Sequence, residues 1–238
     1  LTLHNLARTY HIRIQGEKAE NLEQAIFHYI EARQILTQSD EPVEWALATH
    51  NLADAYTDRV YGERTENLEL ALQYFKQALQ VRTREKMPTE WAETVFLIGL
   101  TYANRIVGKR AENLELAIQH FQQALQVQTK DEMPAAWSQT MHQLADAYAA
   151  RIQGSQAENF EQAIDYYQQA LQIITRDRMP IDWARINHSL ADAYMDRIWG
   201  ERAENLELAI RYCQQAIQIF TQDHMPVEWA ETVNNLAN

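Results

Sequence analysis

Apolar positions recur along this chain with two nested rhythms. The shorter one is helical. Within 41–86, Trp45, Thr49, Leu52, Ala53, Tyr56 and Val60 share one face of a 3.6-residue period, which predicts a first helix beginning at Pro42. A proline is tolerated in a first turn, where its missing N–H has no partner to lose. Leu68, Ala71, Leu72, Phe75, Ala78, Leu79 and Val81 then form the stripe of a second helix, with Glu69, Gln73, Lys76, Gln77 and Gln80 facing water. Gly62 is expected to end the first helix in a left-handed conformation. Asn67 is expected to cap the second, which should run out near Arg84.

The longer rhythm has a period of 46 residues. Trp45, Trp91, Trp137, Trp183 and Trp229 keep it without drift, and so do the prolines Pro42, Pro88, Pro134, Pro180 and Pro226. Gly16, Gly62, Gly108, Gly154 and Gly200 form a further column, as do Arg13, Arg59, Arg105, Arg151 and Arg197, and Asn21, Asn67, Asn113, Asn159 and Asn205. A fixed period of this size marks a repeat architecture in which each unit stacks on the next. The units are 1–40, 41–86, 87–132, 133–178 and 179–224, with a partial one over 225–238. A lone helical hairpin cannot bury its apolar face, so the expected fold is all-α, an α-solenoid of stacked antiparallel helix pairs. Three columns of small residues set how closely the helices approach: Ala53, Gly99, Ala145 and Ala191; Ala71, Ala117, Ala163 and Ala209; Ala78, Ala124, Ala170 and Ala216. Leu1 and Asn238 both fall inside a first helix, so the sequence reads as an excerpt of a longer array.

Composition narrows the partners. The net charge of −12 disfavours a nucleic-acid backbone or an anionic membrane as partner and favours a basic one. No stretch approaches the roughly 20 apolar residues of a membrane span. The single cysteine excludes an internal disulfide and fits a reducing, cytoplasmic setting.

Two short phrases carry a family resemblance. "NLADAY" at Asn51 is followed by "NLELALQYFKQAL" at Asn67, giving Leu52, Ala53 and Tyr56 on the first helix and Ala71, Phe75 and Ala78 on the second. The first-helix signature returns as Leu6, Ala7 and Tyr10; Ile98, Gly99 and Tyr102; Leu144, Ala145 and Tyr148; and Leu190, Ala191 and Tyr194. This resembles the tetratricopeptide repeat (TPR) over essentially the whole chain. Repeats of that family are about 34 residues long, so this chain departs from it by extra residues in "RVYGERTEN" and "TREKMPTEW" and by helices expected to be long. The long unit, with "MPxEWA" and "GxRAEN", is similar to arrays in bacterial multidomain signalling proteins, some of them beside CHAT proteases. The resemblance implies a right-handed superhelix that binds a protein or peptide on a concave surface lined by first helices.

Mapped onto this chain, the implied lining includes His50, Asp54 and Asp58, then Glu93, Phe96 and Leu100, then His142 and Asp146, then His188, Asp192 and Asp196. It is acidic, with an apolar spot at Phe96 and Leu100 where sibling units carry His and Asp. A basic peptide or protein suits it, and self-association is the alternative. The family's carboxylate-gripping members carry Lys and Asn here, and Asp54, Asp146 and Asp192 depart from that.

No catalytic constellation, cofactor motif or metal site is legible. Cys213 stands in the column of Phe75, Phe121 and Tyr167 and is expected to be buried. His4, His50, His142 and His188 share a column, and three have Asp54, Asp146 or Asp192 four residues on, within reach of a hydrogen bond along the helix. Neighbouring repeats lie about 8–10 Å apart, too far for these imidazoles to share one zinc at about 2.0–2.1 Å. They are expected to form an inter-repeat polar ladder. The Arg column is expected to pair with turn acids such as Glu66.

Overall fold

The computed structural model describes residues 2–237. Every regular element among them is a helix: α1 (Thr2–His11), α2 (Lys18–Ile35), α3 (Pro42–Asp58), α4 (Arg64–Ala78), α5 (Pro88–Ala103), α6 (Arg110–Ala124), α7 (Pro134–Ala149), α8 (Gln156–Ala170), α9 (Pro180–Asp196), α10 (Arg202–Ala216) and α11 (Pro226–Ala237). The contacts group into two compact blocks, 1–127 and 128–238. In the first, α1 pairs with α2, α3 with α4 and α5 with α6; α2 packs on α3, and α4 on α5. The second repeats the scheme, with α7 on α8, α9 on α10, and α8 and α10 packing on the helix that follows each. First helices also touch their counterparts, α1 to α3 to α5 in one block and α7 to α9 to α11 in the other. Each block is thus a stack of helical hairpins, the α-solenoid arrangement that the period predicts.

Proline opens α3, α5, α7 and α9 in the first turn, as the pattern requires. The second helix of the unit over 41–86 ends at Ala78 and not near Arg84. Past that point Gln80 N–H bonds Gln77 O and Val81 N–H bonds Ala78 O, both at 3.1 Å, so the spiral tightens and closes. Leu79 and Val81 are in consequence only partly buried. Val60, expected on the buried face, lies beyond the helix end and is 60% exposed.

The small columns are buried throughout. They let large side chains reach in: Tyr29, Leu52, Leu68, Phe75, Ile98 and Phe121 in the first block, and Leu144, Tyr167, Ile174, Leu190 and Phe220 in the second. Gly99 is the tightest point, since a Cβ there would stand 2.7 Å from a ring carbon of Phe121. That ring also meets Phe96, with centroids 5.8 Å apart. Phe96 and Gly99 therefore work together, the larger ring being accommodated where its neighbour gives up a methyl group.

The turns correct two expectations. Gly62 does adopt φ +78°, as the other four glycines of its column adopt +81° to +86°. It lies four residues past the end of α3, however, and so does not terminate that helix. Asn67 does not cap α4, which begins earlier at Arg64. It is buried in the first turns, and its amide donates back to Tyr61 O at 2.9 Å. Asn21, Asn113, Asn159 and Asn205 make the same bond, each at 2.9 Å. The side chain satisfies a carbonyl that the left-handed glycine turns inward, a geometry a non-Gly residue enters at about 1–2 kcal/mol.

The arginine column completes this lock and carries it to the neighbouring repeat. Arg59 donates to Asn67 Oδ1, lies over the Tyr56 ring and grips Glu23 with two bonds of 2.6 and 2.8 Å. Arg105 grips Glu69 at 2.6 and 3.2 Å, and Arg197 grips Glu161 at 2.6 and 2.7 Å. The partner is the second-helix Glu of the preceding unit and not the turn acid Glu66. Two parallel N–H···O bonds need a carboxylate facing the guanidinium fork, and the stacking supplies that from across the interface. Asn113→Ala should strand Val107 O and cost about 1–3 kcal/mol in urea unfolding, more than the same change at exposed Asn104.

Candidate functional site

The sequence-predicted lining is only partly open: Asp58, Glu93 and Asp196 are exposed, the other residues are partly buried, and His50, at 4% exposure, is buried between repeats and is no lining residue. Each block treats the face differently. In the second block the acids are already engaged. Asp146 accepts a hydrogen bond from Tyr167 Oη at 2.7 Å and faces His142 Nε2 at 3.6 Å. Asp192 accepts from Asn235 Nδ2 at 2.6 Å and faces His188 Nε2 at 3.5 Å. At both places the His stands beside the predicted Asp, but the hydrogen bonds of each Asp go to Tyr167 and Asn235 and not to the imidazole. His188 also meets Thr232 of the next unit through Nδ1 at 2.9 Å, which is one rung of the expected ladder. Burial raises the pKa of Asp192, partly offset by His188 and the Asn235 bond. Asp196, one turn on, is exposed.

The first block breaks this scheme. His50 does not pair with Asp54. Its Nδ1 meets Thr94 Oγ1 at 3.0 Å and its Nε2 lies 3.8 Å from Glu93. Beside Thr94 and Glu93 lies Arg82, a residue outside the sequence-predicted lining. Arg82 is only 2% exposed and donates to Thr94 Oγ1 at 3.1 Å and to Glu93 at 3.5 Å, while its Nε has no partner. The signal was present: its column otherwise holds Leu36, Gln128, Ile174 and Phe220, so one cation interrupts uncharged neighbours. Burial, and then the Arg82 charge, push the His50 pKa down to about 3, so the imidazole is neutral at physiological pH.

Asp54 is left without the partners its siblings have. At the place of Tyr167 stands Phe75, which has no hydroxyl, and at the place of Asn235 stands Leu97, which has no amide. Burial raises the Asp54 pKa, with Asp58 and Glu93 adding to the rise and His11 and the Thr57 hydrogen bond opposing it. Asp58 is better served. His11 Nε2 lies 3.8 Å from it, and that ring with the charges of Lys18 and Arg64 lowers its pKa against burial. Asp54, Asp58 and Leu100 meet in one cleft of about 190 Å³, also lined by Thr57, Arg64, Leu68, Leu97, Thr101 and Asn104. Phe96 is not part of that lining; it packs on Phe121. Of the residues in the cleft, Arg64, Leu68, Leu97 and Thr101 were missed, because a cleft wall built by three helices has no single sequence period.

Two larger depressions lie elsewhere. One of about 710 Å³ is lined by Glu66, Glu69, Gln73, Lys76, Tyr102 and Arg105 among others, so an Arg–Glu clasp forms part of its wall. The other, of about 480 Å³, includes Tyr148, Arg151, Glu161 and Trp199. Cys213 is buried, and burial raises its thiol pKa to about 11. Among the described residues, no group of three or more His, Cys, Asp and Glu is arranged to hold a metal ion, and no helix is long and apolar enough to cross a membrane. No protein-family model matches the chain, and no curated protein matches it at a significant level.

Two outcomes follow from the buried charges. Arg82→Leu, which restores the Leu36 type, should leave stability within about 1 kcal/mol of the wild type in urea, since it removes a buried charge whose partner Glu93 is exposed and stays hydrated, against the loss of the Thr94 hydrogen bond. The His50 pKa, read from its ring protons by NMR, should rise in that variant yet stay below the usual histidine value, because burial remains. A destabilised protein or an unmoved His50 would count against this account. For Asp54 the folded pKa is raised, so its contribution to stability is full below the ordinary carboxylate pKa and is lost as pH rises through the folded value. Asp54→Asn should therefore gain on the wild type at neutral pH, and the gain should shrink on acidification.

Proposed function

We propose that this chain is a protein-binding array that engages a peptide or protein partner along the exposed face of its first helices. The observation that carries the reading is the contrast between a uniform scaffold and a varied lining. The Asn lock recurs at all five turns and the Arg–Glu clasp at those of Arg59, Arg105 and Arg197, with closely similar geometry. The first-helix face changes from unit to unit: Asp54 beside Leu97 and Leu100 in one place, and internally bonded Asp146 and Asp192 elsewhere. Stacked repeats that hold a common frame and vary one surface suit recognition, because the frame needs no adjustment when the surface does. The resemblance to tetratricopeptide repeats supports the same face, and the net charge of −12 supports a basic partner. In this reading the chain acts as a sensor or adaptor region of a larger bacterial signalling protein in the cytoplasm, without catalysis of its own.

The test is site-specific photo-crosslinking in the source cell's lysate. A benzophenone side chain at Gln139 or Arg185, both exposed on first helices, should give a discrete adduct with a partner. The same group at Gln73 or Arg211, exposed on second helices, should not. Adducts confined to second helices would sink the proposal, and adducts only with further copies of the chain would replace it by self-association.

A further inference from the structure

We propose that the cleft between α3 and α5 is a socket for one basic side chain, lysine or arginine, carried by the partner, with Asp54 as the carboxylate that receives it. The proposal rests on the reading of the first-helix face as a protein-binding surface, and it names what that surface recognises at one point.

The argument begins with what Asp54 lacks. A half-buried carboxylate is costly unless a hydrogen bond or a cation offsets its lost hydration. Asp146 has the Tyr167 hydroxyl and His142; Asp192 has Asn235 and His188. For Asp54 each such partner is missing or turned elsewhere: Phe75 and Leu97 cannot hydrogen-bond, and His50 Nε2, the nitrogen that His142 and His188 turn to their Asp, lies 3.8 Å from Glu93. What is left is Thr57, whose hydroxyl also donates to the Asp54 main-chain carbonyl at 2.6 Å.

The charged neighbours do not fill the gap. From α1, the His11 ring lies 3.8 Å from Asp58. From α4, Arg64 donates to Thr57 O, and its charge, with that of Lys18 of α2, acts on Asp58. From α5, Glu93 adds negative charge and is itself met by Arg82. His11 eases the Asp54 charge from a distance, but among the described residues no ion pair from a cation reaches the Asp54 carboxylate, whereas His11 stands 3.8 Å from Asp58 and Arg82 3.5 Å from Glu93.

The cleft's size and walls point to the same occupant. At about 190 Å³ it is smaller than the roughly 300–1,000 Å³ typical of whole small-molecule sites. It suits a single side chain. Leu68, Leu97 and Leu100 offer an apolar wall for an aliphatic stem, and Asp54 and Asp58 offer carboxylates for its charged head. Lysine and arginine are the side chains that combine a long apolar stem with a cationic tip.

The experiment is a ¹⁵N NMR titration of the full chain with Nα-acetyl-lysine N-methylamide, with its Nα-acetyl-arginine counterpart, and with the lysine compound acetylated at Nζ. The expected result is a saturable shift of amides around Asp54, Leu97 and Leu100 with at least one of the two cationic compounds. Binding should weaken at least 10-fold on Nζ-acetylation of the lysine compound if lysine is the side chain taken. It should weaken equally in Asp54→Asn, whose circular dichroism and melting should show a folded protein. Glu85→Gln, an exposed change of the same charge outside the cleft, should bind like the wild type. Three results would overturn the socket: no response in the cleft to either cationic compound, an undiminished response in Asp54→Asn, or shifts spread evenly over acidic surfaces. A silent cleft together with crosslinks from Gln139 or Arg185 would remove the socket alone and leave the binding array standing.

Discussion

The asparagine locked inside each turn, with the arginine that holds it, is the contact on which the stacking rests. The left-handed glycine bends the chain so that a carbonyl points inward, and the asparagine amide satisfies it at 2.9 Å. The arginine touches that asparagine with one nitrogen and reserves two others for the preceding repeat's glutamate. The same side chain thus fixes how a hairpin folds and how it sits on its neighbour. Small columns bring the helices close and aromatic rings fill the interior, but neither has a direction. The bidentate pair does, because a planar fork and a carboxylate meet well in one orientation only.

Against so regular a frame, irregularities become informative when they cluster. Arg82, Phe96, Leu97 and Gly99 all belong to one junction, between α4 and α5 or within α5. Arg82 shares Thr94 with His50, Leu97 stands where an amide would, and Phe96 with Gly99 reshapes the packing against Phe121. None of these changes reinforces the frame. Their joint product is the Asp54 carboxylate beside apolar walls, with Arg64, which also lines the cleft, bonded to the Thr57 carbonyl.

The fold was legible because its cause is repetition. Columns in register identify the hairpin, its proline start and its small packing positions without knowledge of any contact. The turn was misread because asparagine favours helix caps, and nothing local reveals that α4 starts early enough to enclose Asn67. Arg59 was paired with nearby Glu66 when its partner, Glu23, lies a whole hairpin away and comes within reach only through stacking. The lining was legible as a face but not as a site. Which acid a histidine meets is not written in its own helix, since His50 Nε2 faces Glu93 of the next repeat while His188 Nε2 faces Asp192 of its own.

A clasp built from the same three residues at successive turns also makes the repeats interchangeable parts. Each hairpin presents an arginine backwards and a glutamate forwards, so a duplicated or deleted unit still meets compatible neighbours. Copying and trimming such a gene would leave the joints intact while the exposed residues drift. Length and specificity can then change on separate schedules: whole units set the reach of the array, and single substitutions at places such as Leu97 set what it holds.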